Sequence, residues 1–260
     1  MAYNPIGGFS SDFILNIAKG NVPGHAIRFA VAESTLINTT DSTLWDISDA
    51  FVWPTAGEAW EIVSSSASDT SAGTGARSIV ITGLDDSYNR QTEIITPNGT
   101  SSVATVRTDW LRIESIIVIS SGSNEANVGT ITLRILSAGN TRSTILPDNG
   151  RSFNGFYTAP VGKTAFILQT VAFTPKGEDT TITTKIRGFG TNTWLSGGQS
   201  PTYQSAVRLS FASFPAFPEK SDLEFTAKST NTNILTTFSI ELVEIDNDLT
   251  GPISTMGVLI

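Results

Sequence analysis

Cysteine is absent from this 260-residue chain, and histidine occurs once, at His25. The first absence excludes disulfide staples, thiolate metal sites and cysteine nucleophiles. With one imidazole left, zinc has no adequate ligand set. Charge is scarce too: Asp, Glu, Lys and Arg make up 15% of residues, against roughly a quarter in ordinary domains. The balance is acidic, with a net charge of −8, and no basic cluster offers the phosphate neutralisation that nucleic-acid binding requires. No apolar run approaches the roughly 18 uninterrupted residues of a membrane span. The opening residues, MAYNPIGGFSSDFILNIAKG, lack the basic-then-apolar order of a secretory signal. Without an export signal, the sequons at Asn38-Thr-Thr40 and Asn98-Gly-Thr100 read as turns, and the lack of cysteine leaves the redox compartment open.

Ser, Thr, Asn and Gly take the place of charge, and apolar residues are too well patterned for disorder. From Ser64 to Ser120 the chain alternates short strands with Gly, Asn and Asp turns. Ile79 and Ile81 alternate with Val80 and Thr82, and Ile131, Leu133 and Ile135 alternate with Thr130, Thr132 and Arg134. This is the period of half-buried strands. The pattern predicts strands at Ala59–Ser65, Arg77–Thr82, Arg90–Thr96, Ser101–Val106, Leu111–Ser120, Gly129–Leu136 and Thr141–Leu146. A second series comes after Pro147-Asp-Asn-Gly150, at Gly155–Tyr157, Thr164–Pro175, Thr180–Arg187, Gln204–Phe211, Leu223–Ala227 and Ile234–Ile245. No helical pattern intervenes, so the expected fold is all-β, with two antiparallel β-sandwich (jelly-roll-like) domains and an N-terminal arm. The expected boundaries are an arm or lateral segment over 1–57, a first domain over 58–147, a second over 151–248 and a C-terminal tail over 249–260. Within the arm, Ser11 to Gly20 reads as a short helix with Ser11 as N-cap and Gly20 just past its end. Residues Ala26 to Val31 read as a strand, and Gly188 to Thr202 as a long loop exposing Trp194.

The sequence offers little for catalysis. His25 lies in a Pro-Gly turn, and no GxSxG nucleophile motif accompanies it. Gly73-Thr-Gly-Ala-Arg77 and Gly188-Phe-Gly190 lack the spacing and the Lys-Ser/Thr of a phosphate loop, so hairpin turns are expected. Asp85-Asp86 and Asp246-Asn-Asp248 lack calcium-loop spacing and read as turn caps. Glu58, Glu61, Glu93 and Glu114 fall on predicted strands and read as solvent-facing residues rather than a glycosidase pair. No catalytic, cofactor or metal residue is assigned. The aromatics are more suggestive. Trp194, Phe214 and Phe217 could stack on a sugar ring or fill an interface, and Phe13, Ile14, Trp45 and Trp53 would be the contacts of an embracing arm.

One set of segments resembles a known group. Ser66-Ala-Ser-Asp-Thr-Ser-Ala-Gly-Thr-Gly-Ala-Arg77, Ile81-Thr-Gly-Leu-Asp85, Glu93, Asn98-Gly-Thr100 and Asn127-Val-Gly-Thr-Ile131 are similar to a β-rich structural protein of tailed bacteriophages, especially marine and cyanobacterial ones. Asn21-Val-Pro-Gly-His25 and Ala159-Pro-Val-Gly-Lys-Thr-Ala165 resemble the same group, and the resemblance covers residues 20 to 175. It implies a non-enzymatic virion component, made in the host cytoplasm and sited on the phage head surface. The expected role is decoration or cement, as a homotrimer that grips the major capsid protein and copies of itself. Symmetric assembly multiplies even a modest contact into firm attachment. A tail, neck or fibre component, or a carbohydrate-binding adhesin engaging a host glycan, are the alternatives. Neither nucleic acid nor membrane is expected as a partner.

Overall fold

The computed structural model describes residues 11–47, 50–175, 177–203, 206–210 and 215–250. It opens with helix α1 (Ser11–Ala18), whose end is closed by Gly20 at φ +73°. The Gly20 N–H donates to Ile17 O and the Asn21 N–H to Asn16 O, the paired bonds of a Schellman cap that only a residue tolerating positive φ completes without strain. The sequence-expected helix and its stop are both present. Among the described residues no helix is long and apolar enough to cross a membrane.

Strands run in the order β1 (His25–Ile37), β2 (Ser42–Thr43), β3 (Trp60–Ser64), β4 (Ala76–Asp85), β5 (Arg90–Ile95), β6 (Val103–Ala104), β7 (Trp110–Ser121), β8 (Ile131–Ile135) and β9 (Thr141–Ile145). Then come β10 (Phe156–Thr158), β11 (Lys163–Phe173), β12 (Asp179–Arg187), β13 (Leu195–Tyr203), β14 (Ala206–Ser210), β15 (Ala216–Phe217), β16 (Asp222–Lys228) and β17 (Ile234–Asp246), with α2 (Asn247–Thr250) after them. Every pairing between these strands is antiparallel. They form four sheets: sheet I (β6-β3-β8-β9), sheet II (β5-β4-β7), sheet III (β1-β17-β11-β14, with β15 on β11) and sheet IV (β10-β16-β12-β13, with β2 on β16).

Period-two burial sorts these sheets around two cores. Between sheets I and II lie Trp60, Ile62, Ile131 and Leu133 facing Ile79, Ile81, Ile113 and Ile116, with Trp45, Phe51 and Phe156 closing one end. Trp60 and Trp110 are both fully buried and stack at 5.2 Å with an interplanar angle of 7°. Between sheets III and IV lie Ala32, Ile37, Ile167, Phe238, Ile240 and Leu242 facing Ile182, Ile186, Leu223, Phe225 and Ala227.

The strands around this second core interlock. Counting positions along the chain as β1, then β2 with β10, then β11, β12, β13, β14, β16 and β17, sheet III reads first, eighth, third, sixth. Sheet IV reads second, seventh, fourth, fifth. Among these eight positions only β12 and β13 form a hairpin inside one sheet, and each of the other steps from one position to the next crosses from sheet to sheet.

The second position is itself split. Ser42 and Thr43 pair with Ala227 and Thr226, while Phe156, Tyr157 and Thr158 pair with Glu224, Leu223 and Asp222. At the residue between, the Leu44 N–H donates to Phe225 O (2.8 Å) and the Phe225 N–H to Gly155 O (2.7 Å). The outgoing and returning chains run side by side there, bridged at Trp45 and Asn154. Gly155 is required at this fork, since a Cβ on it would lie 2.2 Å from Leu44 O. Sheets I and II are therefore an insertion into one edge strand of sheet IV.

Three sequence expectations change. Residues 25–43, expected in an arm outside the sandwich layers, supply β1 and β2. β1 pairs with β17 from His25↔Ile245 to Ile37↔Ile234. Residues 195–202, expected as loop, belong to β13, which runs along β12. Gly197, Gly198 and Pro201 hide the strand pattern, and they are tolerated because β13 is an edge. The inserted unit does not share the interlocked order, because β4–β5 and β8–β9 are plain hairpins within their own sheets.

Candidate functional site

Side-chain chemistry concentrates where the two units meet. Asp222, at the start of β16, is 3% exposed. It accepts Arg112 Nε (2.9 Å) and Nη2 (3.1 Å) from β7 across the junction, and Arg187 Nε (3.1 Å) and Nη2 (2.6 Å) from β12. Thr158 Oγ1 adds a fifth donor at 2.6 Å. Arg112, itself buried, spends Nη1 on Pro54 O at 2.8 Å. An unpaired buried carboxylate would be expensive, and two guanidinium groups remove that cost.

Aromatic rings fill the spaces between the cations. The Trp53 indole lies 5.1 Å from the Arg112 guanidinium and 5.0 Å from that of Arg187, and donates Nε1 to Glu224 Oε2 at 3.3 Å. Trp194 covers Arg187 at 4.6 Å and meets Trp53 at 5.2 Å. On the other side Tyr88 faces Arg112 at 5.6 Å, and the Lys220 ammonium sits 5.8 Å from Tyr88 and 4.8 Å from Phe189. Ring and cation thus alternate from Trp194 through Arg187, Trp53, Arg112, Tyr88 and Lys220 to Phe189, each contact of the kind that electrostatic attraction to a ring face favours. Tyr88 and Lys220 hold φ near +65° and +61°, a region costly for such side chains and kept only when surroundings enforce it. Burial pushes the Tyr88 phenol above its ordinary range, with Asp222 adding to the rise and Arg112 opposing it. Phe189 is 60% exposed, so the ladder reaches the surface there.

A second lock joins the same units. Glu244 on β17 is 1% exposed and receives Arg28 Nε (3.1 Å), Arg90 Nη1 (2.9 Å) and Nη2 (2.6 Å), and Tyr157 Oη (2.8 Å). Arg90, from the inserted unit, also clamps Glu114 at 2.6–3.0 Å. Burial alone would raise the Glu244 carboxyl, but the hydrogen bonds and charge of Arg90, with Arg28 and Tyr157, hold it below the usual carboxylate range.

The strand glutamates are partnered, with Glu61 buried and Glu58, Glu93 and Glu114 half-buried. Glu58 binds Arg142, Glu61 binds Arg134, Glu114 binds Arg90, and Glu93 accepts the N–H groups of Val106 and Arg107. Glu61 is 5% exposed. Asp85 caps its turn through the N–H groups of Ser87 and Asn89. The Gly73–Arg77 turn wraps the fully buried Asp69, which accepts the N–H groups of Ala76, Val128 and Gly129 and the Ser64 hydroxyl. Gly75 is obligatory there, since a Cβ would stand 2.1 Å from Asp69 Oδ1. Among the described residues no group of three or more His, Asp or Glu is placed to hold a metal.

Of the aromatic candidates, Trp53 and Trp194 come together in the ladder. Trp45 (3% exposed) and Phe217 (1% exposed) are core residues, and their rings are covered by their own chain. Phe13 and Ile14 are half-buried on α1, with Phe13 meeting the His25 ring edge-on at 5.9 Å. Phe214 lies outside the described residues. Sequence reasoning missed Arg112, Arg187, Asp222, Arg90 and Glu244, which are scattered single charges with no motif. The one available signal was that so few charged residues occur on such apolar strands.

No protein-family model matches the chain, and comparison with curated proteins finds no match. Among solved structures, it is similar to a chain of the infectious bursal disease virus Gx strain at 10% identity, over 90% of this chain and 74% of that one, with a TM-score of 0.25. It is also similar to a chain of the cowpea mosaic virus top component, naturally occurring empty particles, at 10% identity over 80% and 93%, with a TM-score of 0.23. Likenesses at this level carry no argument for function.

Proposed function

We propose that this chain is a structural protein of a virion, in which a jelly roll split by an insertion carries a second β-unit on its side. On this reading, segments 25–43 and 156–246 are one domain and the inserted sheets I and II another, in place of the serial arm, first domain and second domain. The observation that carries the proposal is the interlocked order of sheets III and IV, first-eighth-third-sixth against second-seventh-fourth-fifth. Double-sheet jelly rolls with two Greek keys build viral capsid domains and lectins. This step is an analogy of fold. The junction supports it physically, because two buried carboxylates, Asp222 and Glu244, receive arginines from the inserted unit and so hold the two units together.

The finer assignment is a decoration or cement protein on a tailed-phage head, trimeric and bound to the major capsid protein. An outward row on sheet II, Ile94–Val80–Ile117 in cross-strand register with Ile94 65% exposed, supplies an apolar face for such a contact. Copy number per particle tests it: imaging of purified virions should count hundreds of copies on the shell. A dozen or fewer would move the protein to the neck, tail or fibre, and none would remove it from the virion. A carbohydrate-binding reading is favoured by one feature, the Trp194 and Phe189 rings at the two ends of the ladder. Glycan-array binding lost in Trp194→Ala would support that reading.

A further inference from the structure

Away from the junction, an open groove of about 890 Å³ runs between α1 and the outer face of sheet III. Ile14, Leu15 and Ala18 line its helix side, and Ile27, Phe29 and Leu168 its sheet side. Leu15 is 50% exposed and Phe29 67%, an unusual degree of exposure for two large apolar residues facing one cleft. Across the floor Phe29 stands opposite Glu241 and Glu241 opposite Gln169. Arg208 Nε donates to Gln169 Oε1 at 2.7 Å. Among the described residues the floor polar groups are therefore partnered, while Leu15 and Phe29 stay open.

The chain itself passes the mouth of this groove. The Asp246 N–H donates to Gly24 O at 2.8 Å, in the turn joining α1 to β1, and a Cβ on Gly24 would lie 2.5 Å from Leu249 Cδ1. The described chain thus ends at Thr250, one residue after Leu249, which lies against Gly24 next to the groove-lining His25. Residues 251–260 continue it as Gly-Pro-Ile-Ser-Thr-Met-Gly-Val-Leu-Ile. The pair Gly251-Pro252 is a helix-stop signal and permits a reversal of direction. Five of the ten residues are large and apolar, and Met256, Val258 and Ile260 recur with a period of two, which places them on one side of an extended segment. At roughly 3.3 Å per residue the segment outreaches the five-residue stretch His25–Phe29. Residues 1–10 join at Ser11 but are rich in Asn, Pro and Gly and carry no such alternation.

We propose that residues 251–260 fold back along α1 and occupy this groove in the same molecule, laying Met256, Val258 and Ile260 against Leu15 and Phe29. The occupant is therefore the chain's own apolar segment, and the outer face of sheet III is not a free surface. Because the protein has no cysteine, two double variants give unambiguous cross-links: L15C/V258C and F29C/V258C. On mild oxidation of dilute full-length protein, at least one pair should close within a single chain, seen as faster migration without reductant at monomer mass. Cross-linked dimers would overturn the proposal by showing that the segment covers a second copy, and failure of both pairs would overturn it outright. In the full-length V258D variant, amide hydrogens of α1 should exchange at least ten-fold faster while those of β11 and β17 are unchanged. Unaltered α1 exchange would equally overturn it.

Discussion

The inserted unit takes nearly all its core from one continuous stretch, Trp60 to Ile145, with hairpins β4–β5 and β8–β9 pairing neighbours in sequence. The split unit instead brings Ala32 and Ile37 at one end of the chain against Phe238, Ile240 and Leu242 at the other. Loop-closure entropy grows only slowly with length, so the distant pairing of β1 with β17 is thermodynamically tolerable, although such non-local contacts fold slowly. The contrast shows what the junction ion pairs do. A unit entering and leaving its host through two adjacent backbone crossings, at Leu44 and Gly155, would be free to swing. Arg112–Asp222 and Arg90–Glu244 tie it to its host by side chains as well.

The strongest test sets the two cores against each other. Trp60→Ala in the inserted unit and Phe225→Ala in the split unit should each cost about 3–5 kcal/mol. If the locks couple the units, calorimetry will show one cooperative transition lowered by both variants. A transition untouched by one of them would mean the units unfold independently. Next, Arg112→Met should cost about 3 kcal/mol by breaking a buried pair, and should split that single transition in two.

Acid should loosen the other lock. Glu244 has a folded pKa held below its ordinary value of 4.5, so its contribution is fully present above about pH 4.5 and is lost as pH falls through the folded value. Arg90→Gln should flatten the stability-against-pH curve below pH 4.5, and an unchanged acid limb would exclude this role.

Asp46 runs the opposite way. Its Oδ2 is buried without a hydrogen-bond partner, and burial, with Glu33 nearby, raises its pKa from 3.8 to about 7. Between about pH 4 and 7 the folded chain keeps this carboxyl protonated while the unfolded chain ionises it, so stability falls across that window, and Asp46→Asn should raise Tm at pH 8 and leave it nearly unchanged at pH 4. The smallest effect belongs to Trp194→Ala, which removes one partly exposed ring from Arg187 and should cost about 0.5–1 kcal/mol, measured by urea unfolding.

Much of the inserted unit was legible because its strands sit beside their partners in sequence, and alternation such as Ile79, Ile81 against Val80, Thr82 assigns faces directly. β13 was not legible: its Gly, Ser and Pro content suits an edge strand but carries no periodicity. Arg112, Asp222, Arg90 and Glu244 drew no notice in the sequence, because a charged residue on a strand declares its burial only through its partner. Trp45 and Phe217 were misread for the converse reason, since a large ring in an irregular stretch gives no sign of which core will cover it.

Local pattern was thus sufficient for an all-β antiparallel chain, for the Schellman-capped helix ending at Gly20, and for a surface poor in charge. Period-two burial and turn chemistry act over a few residues and can be read there. Folding alone decided that the supposed arm is two strands of sheets III and IV and that the first β-unit is an insertion. It also decided that Arg90 and Arg112 reach from the inserted unit to carboxylates of the other. Those outcomes depend on which distant strands share a sheet, and no short stretch of sequence contains both partners.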